Sequence, residues 1–353
     1  MSLPASYLPT LDKEEIERRL DLLLVPGALD HPALLTRIER LADSFQSYAG
    51  NYPLPLWAPG LAITNEMRGW SEALFPVAEA AAVFAQLLRK GCRFAPLLAG
   101  SYLHTSPSWP DLLQKLGTQV EKCDPAPLLR ELAADPRRRK GFLFALLLPR
   151  HFGGGFDRYP VQSRWLESWL AQHRSRLAGT IRALDSACGS GEGTYGLAEL
   201  AKRVGFAAEG SHLHGSTIEE IELFAGTHAF FPHDQERERE YRARVAPLLS
   251  SGSIPIRFYL EEVCREAPAE EPYDVILCNG LLGGPLLHEA DELSRAVRSL
   301  ASRLAPGGVL LAADRFHAGW RRRIPAAALR DLLRQHGLTP LQLPEGIGGQ
   351  KPS

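Results

Sequence analysis

Cysteine is scarce in this chain: five in 353 residues (Cys92, Cys123, Cys188, Cys264, Cys278), odd in number and without a Cys-x-x-Cys pair. That scatter excludes a disulfide framework and the paired thiolates of a zinc site, so no metal is expected, and it fits a reducing compartment, the cytoplasm. An excess of charge of one sign is missing too, because 40 Lys and Arg stand against 41 Asp and Glu. A balance of that kind lacks the broad basic footprint that nucleic acid requires. No apolar run reaches the roughly 20 residues of a membrane span, and the N-terminus lacks the basic, apolar and small-residue blocks of a signal peptide. The expectation is therefore a soluble cytoplasmic protein with neither nucleic acid nor membrane as partner. Internal repeats of fixed period are absent as well.

What the chain does have is helical periodicity followed by strand-and-helix alternation, over a length that implies two domains. Residues 1–150 read as an all-helical N-terminal domain. Asp12 with Glu15 three positions on resembles a capping box ahead of Ile16, Leu20, Leu22 and Leu23. Leu34, Leu35, Ile38, Leu41 and Phe45 mark a second helix, and residues 65–90 a third that Pro76 kinks or splits. Segments 109–122, 126–134 and 139–148 complete the array. Within it Arg137-Arg138-Arg139-Lys140 reads as a solvated turn or a phosphate contact. Trp57, Trp70, Phe75 and Trp109 read as core or as pocket lining, and His104 as structural.

Residues 149–160, Pro-Arg-His-Phe-Gly-Gly-Gly-Phe-Asp-Arg-Tyr-Pro, interrupt the helices with three glycines fenced by prolines. They begin a linker, 151–175, with a helix from about Ser163 to Leu177. If the loop also closes over a site, Arg150, His151, Arg158 and Tyr159 are the polar groups it brings. The second domain, 176–353, is organised around 181–196. There an apolar strand pattern runs into Gly189, Gly191 and Gly193, whose missing Cβ atoms let the backbone turn and a ligand approach. Tyr195, Leu197, Ala198, Leu200, Ala201 and Val204 follow at helical spacing. Further strand patterns at 206–211, 254–260, 273–278 and 308–313 alternate with helices, which argues for an α/β fold with a doubly wound parallel sheet. Ligands of such sheets lie beyond the carboxyl ends of the strands, near the switch in strand order. By this reading those ends are 186–193, 211–214, Glu261 with Glu262, and 278–281.

The stretch Ser186-Ala-Cys-Gly-Ser-Gly-Glu-Gly-Thr-Tyr195, together with Tyr273-Asp-Val-Ile-Leu-Cys-Asn279 and Leu304-Ala-Pro-Gly-Gly-Val-Leu-Leu311, resembles the CheR-type class I S-adenosylmethionine-dependent methyltransferases. The resemblance covers about residues 160–320. It implies a Rossmann-like methyltransferase sheet closed by an antiparallel strand within 337–349, S-adenosylmethionine as cofactor, and a methyl acceptor that is a protein side chain or a small molecule. It sets Ala187, Cys188, Gly189, Gly191 and Glu192 on the methionine part of the cofactor and His212 and Leu213 at the ribose. Glu262 and Val263 fall at the adenine, Asn279 and Gly280 beside the cofactor after strand four, and Tyr195 behind them.

The chain departs from the family at several of these places. His212 stands where the family carries the Asp that binds both ribose hydroxyls, and a neutral imidazole accepts only one hydrogen bond. Either it substitutes, or Glu209 or Ser211 helps, or cofactor binding is weaker. Glu262 replaces an Asn and still accepts from an adenine amino group. The family's Thr-x-Phe-Phe-Arg signature has no counterpart around 155–164, and Leu281-Leu282-Gly283-Gly284 replaces the Tyr after strand four, so acceptor recognition differs. Asp234 to Val245 reads as a charged helix instead of an antiparallel docking insert. Before it, His228, Phe230, Phe231, His233 and Asp234 form either a pocket wall or a packed corner.

Displacement at a sulfonium methyl asks for alignment and exclusion of water more than for a catalytic dyad. A carboxylate acceptor needs no base. A hydroxyl or amine acceptor does, and His214, His233 and His288 are the candidates, since imidazole titrates near neutrality. Two other classes stay open: a non-catalytic binding or scaffold protein that kept the fold, and a nicotinamide-dependent oxidoreductase, which would want an acid after strand two.

Overall fold

The computed structural model describes residues 6–52, 56, 60–98, 100–116, 124–148, 155–265, 271–314 and 323–353. Trp57, Cys123, Arg150 and His151 lie outside the described residues. The chain divides into two compact units, one made of residues 12–148 with Phe231–Arg239, the other of 6–11, 155–230 and 240–353. Periodicity carries no signal for either excursion, because both are short.

The first unit holds the helices α1 Lys13–Leu20, α2 Pro32–Asn51, α3 Asn65–Leu74, α4 Val77–Gly91, α5 Tyr102–Thr105, α6 Trp109–Leu116, α7 Pro125–Ala134 and α8 Pro136–Leu147. Side-chain oxygens decide where several begin. Asp12 Oδ1 accepts from Glu15 N at 2.8 Å, Thr64 Oγ1 from Met67 N at 3.1 Å, and Asp124 and Asp135 cap α7 and α8. Each satisfies an N–H that has no partner within its helix. Pro76 separates α3 from α4 across a 63° bend, because its ring removes a donor and clashes with the preceding turn. No single described helix is long and apolar enough to cross a membrane.

The core of this unit settles the aromatic question. Trp109 is 1% exposed and meets Phe75 edge-on at 5.1 Å and Phe84 stacked at 6.1 Å. Phe75 is fully buried, whereas Trp70 lies outward. The basic run is not a turn. It forms the first turns of α8, where buried Arg139 donates to the Val25 carbonyl and Lys140 pairs with Glu17 at 2.7 Å.

The second unit is built on an eight-stranded sheet. Its strands are β1 Ser6–Tyr7, β2 Arg182–Ser186, β3 His212–Thr217, β4 Ile256–Leu260, β5 Tyr273–Leu277, β6 Leu304–Ala312, β7 Thr339–Leu341 and β8 Ile347–Gln350, in the order β1-β4-β3-β2-β5-β6-β8-β7. β2 to β6 are mutually parallel. β1 joins β4 antiparallel, and β8 enters antiparallel between β6 and β7. The chain fills one side of β2 with β3 and β4, then returns to add β5 and β6 on the other. The switch point is therefore the crevice between β2 and β5. The helices are α9 Pro160–His173, α10 Glu192–Val204, α11 Glu220–His228, α12 Gln235–Val245 from Glu240 onward, α13 Ala290–Ser302 and α14 Ala326–Gln335. The apolar side of α13 packs with Ile276, Leu304, Leu310 and Leu329 in a continuous core.

β3 lies later in the chain than the strand pattern at 206–211 suggests. Residues 206–211 are not a strand: Gly205 and Gly210 take φ of +83° and +81° and turn the chain after α10. Ser211 Oγ then accepts from Ile181 N at 3.0 Å, and pairing starts with His212 opposite Arg182. The true strand reads His-Leu-His-Gly-Ser-Thr, with one large apolar residue, so no alternation marks it. Gly215 has a steric reason, since a Cβ there would lie 2.5 Å from Thr194 Oγ1 and 2.6 Å from the Phe258 ring.

Candidate functional site

The turn from β2 into α10 sits at the switch point. Ala187, Gly189 and Gly191 all take left-handed φ, +60°, +56° and +88°, and the alanine does so at a cost of about 1–2 kcal/mol. The three glycines are not equivalent. A Cβ on Gly193 would lie 2.5 Å from Asp185 Oδ2, and one on Gly191 would lie 2.9 Å from Phe258 Cε1 and 3.3 Å from Tyr241 Oη. A Cβ on Gly189 would meet only Glu222 Oε1, at 3.8 Å. Gly191 and Gly193 are thus glycine for packing, and Gly189 alone presents open backbone.

Buried groups fix the turn from behind. Asp185 accepts from Thr194 Oγ1 at 3.0 Å, and burial pushes its carboxyl up to about 7. Ser190 Oγ donates to the Glu192 carboxylate at 2.8 Å. Tyr241 donates to the Ser190 carbonyl, and its ring meets Tyr195 edge-on at 5.8 Å and Phe156 at 5.0 Å. Gly226 of α11 lets that helix lie against the same carbonyl, where a Cβ would come within 2.6 Å. Tyr195 Oη closes the arrangement on Gly226 O at 2.9 Å. Burial, then the Asp185 and Glu222 charges, hold the Cys188 thiol well above its ordinary range, so this cysteine is not a thiolate nucleophile.

The carboxyl end of β3 is acidic. Its last residue, Thr217, donates from Oγ1 to Glu222 Oε2 at 2.7 Å, which places that carboxylate between the strand end and Gly189. Burial, then the Glu222 and Glu220 charges, raise the Glu219 carboxyl well above the usual range. At the end of β4, Glu261 is held by Arg303 Nη1 at 2.8 Å and Ser216 Oγ at 2.9 Å. Glu262 pairs outward with Arg265 at 2.9 Å, and Val263 is buried beside it. Beyond β5, Cys278 is fully buried and Asn279 exchanges two hydrogen bonds with Gln162 of α9. Gly280 follows with φ of +81°.

No protein-family model matches the chain, and no curated protein matches it significantly. Solved structures resemble it in part. The N-methyltransferase NodS from Bradyrhizobium japonicum WM9, in complex with S-adenosyl-l-homocysteine, aligns over 62% of this chain and 100% of that one at 14% identity and a TM-score of 0.34. The sugar N-methyltransferase KedS8 from Streptoalloteichus sp ATCC 53650 covers 55% of this chain and 87% of its own at 18% identity and 0.33. The amino pentose methyltransferase CalS10 from Micromonospora echinaspora covers 42% of this chain, which spans half of that one, at 20% identity and 0.28. Likeness of this size leaves ligand and activity to the site's own chemistry.

Of the residues singled out in the sequence, the structure gathers Ala187, Cys188, Gly189, Gly191, Glu192, Glu262, Val263, Asn279 and Gly280 along one edge of the sheet. His212 and Leu213 are not among them. They open β3 at its amino end, five residues and about 17 Å of strand from Thr217. His212 therefore lies away from the edge at which the sequence reading set the ribose acid. Glu209 and Ser211 precede it and are no nearer. The candidate bases also disperse. His214 bonds Tyr273 Oη at 2.7 Å and is pushed down to about 4, by burial first and then by Arg182. His233 belongs to the first unit, bonds the Leu148 carbonyl at 3.2 Å and is likewise lowered to about 4. Of the three only His288 lies on the loop that follows β5, paired with Glu289 at 3.4 Å. Glu222 and Gln162 were missed. Glu222 had a signal, an acid one helical turn beyond the strand end, once that end is set at Thr217. Gln162 had none.

Proposed function

We propose that the second unit binds S-adenosylmethionine along the carboxyl ends of β2 to β5 and is a methyltransferase of the class I type. The observation that carries this reading is the glycine turn at the switch point, with Gly189 as the one glycine whose Cβ place is open. A ligand can lie against the backbone there. The rim chemistry suits the parts of the cofactor. The backbone from Ala187 to Ser190 takes the amino-acid tail, the Glu222 carboxylate offers two acceptors to the ribose hydroxyls, and Val263 gives the adenine an apolar contact beside Glu262. Asn279 and Gly280 border the same crevice. Bound S-adenosylmethionine supplies a methyl group already activated on a sulfonium. The chain's own task is then to align the acceptor and exclude water.

With His214 and His233 placed elsewhere and only His288 left on the loop after β5, the reading favours an acceptor that needs no base, a carboxylate. A carboxylate on a protein side chain is what the CheR-type resemblance implies, and a small-molecule acceptor is the alternative. One observation favours a second reading, a binding protein without transfer: β3 ends in Thr217 and not in an acid, with its hydroxyl already on Glu222. Calorimetric titration of the whole chain with S-adenosylmethionine, S-adenosylhomocysteine and NAD tests the proposal. The first two should bind and NAD should not. Binding of NAD alone replaces this reading with an oxidoreductase, and silence toward all three leaves a scaffold.

A further inference from the structure

We infer that Gln162, on the first turn of α9, is a positioning residue for the cofactor site, acting through Asn279; the inference rests on the reading above. Gln162 Nε2 donates to Asn279 Oδ1 at 3.1 Å, and Asn279 Nδ2 donates back to Gln162 Oε1 at 2.8 Å. A primary amide has two N–H donors and two oxygen lone pairs, so after this exchange each partner keeps one donor and one acceptor for a ligand. Gln162 is 3% exposed, and a buried amide that loses its partner carries an uncompensated desolvation cost. The pair is thus a stiff clamp, not a surface contact.

The clamp has an anchor. Glu345, in the loop before β8, accepts from Val161 N at 3.2 Å and from Gln162 N at 3.1 Å, capping α9 with a carboxylate where orphan N–H groups and the helix dipole favour one. Asn279 is the second residue beyond β5, and β5 pairs with β2 through Asp185 and Leu277. The amide therefore stands beside the turn that begins at Ala187. Three separate stretches of the chain meet there, and the rotamer of Asn279 at the rim is set by α9, more than a hundred residues earlier.

The test compares Gln162→Leu, Asn279→Leu and the double variant in the full chain, with thermal unfolding and S-adenosylhomocysteine titration as the two readouts. Asn279→Leu strands the buried Gln162 amide and Gln162→Leu the half-buried Asn279 amide, so both should lower Tm, the first by more, and both should weaken binding about tenfold, the equivalent of roughly 1.4 kcal/mol. Replacing both partners by apolar groups removes the stranded amide, so the double variant should regain much of its Tm. Its affinity should stay low, because the amide that serves the ligand is gone. A Gln162→Leu protein that binds like wild type overturns the inference, and so does a double variant that recovers stability and affinity together, since the pair would then be structural only. Wild-type protein that fails to bind S-adenosylhomocysteine overturns the cofactor reading itself, a result distinct from either.

Discussion

Substituting Gly189 by valine places a branched side chain at φ of +56° where the nearest atom to the new Cβ is Glu222 Oε1 at 3.8 Å. No atom must move to admit the Cβ, so the first cost to the fold is the left-handed backbone, about 1–2 kcal/mol and more for a β-branched side chain. Against the roughly 5–15 kcal/mol by which folded domains are stable, such a loss is tolerated, and in a unit of this size it lowers Tm by about 2–4 °C per kcal/mol. The same substitution at Gly191 differs in kind. Its Cβ would lie 2.9 and 3.0 Å from two atoms of the Phe258 ring and 3.3 Å from Tyr241 Oη, so overpacking of about 1–3 kcal/mol adds to the strain. Thermal unfolding followed by circular dichroism, with S-adenosylhomocysteine titration below the transition, separates the two. Gly189→Val should stay folded and lose binding by more than tenfold, because its methyls occupy the ligand's side of the turn. Gly191→Val should lose stability first and binding with it. A folded Gly189→Val protein that binds like wild type would falsify the placement of the cofactor.

The ribose assignment predicts that Glu222→Gln weakens S-adenosylhomocysteine binding about tenfold or more, since hydrogen bonds to a charged acceptor contribute about 1.5–3 kcal/mol. His212→Asp, at the far end of β3, should leave the titration unchanged, and the reverse pattern would restore the ribose to His212. Tyr241→Phe removes only the hydroxyl on the Ser190 carbonyl and should loosen the turn by about 0.5–1.5 kcal/mol, read as a severalfold weaker affinity with little change in near-ultraviolet dichroism; full retention of affinity would free the turn from α12. Burial pushes the Asp185 carboxyl up from 3.8 to about 7 in the folded chain. Between those values the native state holds a proton that the unfolded state has released, so stability falls as pH rises from about 4 to about 7 and is level above. Asp185→Asn should flatten that slope, whose full span is on the order of 4 kcal/mol. Urea unfolding of both proteins at pH 5 and pH 8 checks it, and parallel curves would rule out the buried proton.

Much of the second unit was legible in the residues alone, for local reasons. Strand, glycine turn and helix at 181–204 announce themselves because Gly189 and Gly191 need left-handed backbone and α10 repeats its apolar residues at helical spacing. In the first unit Pro76 and the cap at Asp12 act within a few residues of themselves, so sequence suffices for them too; the caps at Thr64, Asp124 and Asp135 were not read. Which glycine faces a ligand was not legible. That depends on Phe258 and Tyr241, brought behind Gly191 from 67 and 50 residues away, and on Asp185 beneath Gly193. β3 was misplaced because one of its faces carries His212, His214 and Ser216 and the other needs a glycine under Thr194 and Phe258, which erases the alternation that marks a strand. The error carried the ribose contact with it, since a register decides which end of a strand a residue occupies. Sequence thus determined the kinds of element and the turn between β2 and α10. Only the folded sheet decided which acids, Glu222 and not a residue near His212, and which amide, Gln162, stand at its edge, because contacts across such distances are set by packing and leave no periodic trace.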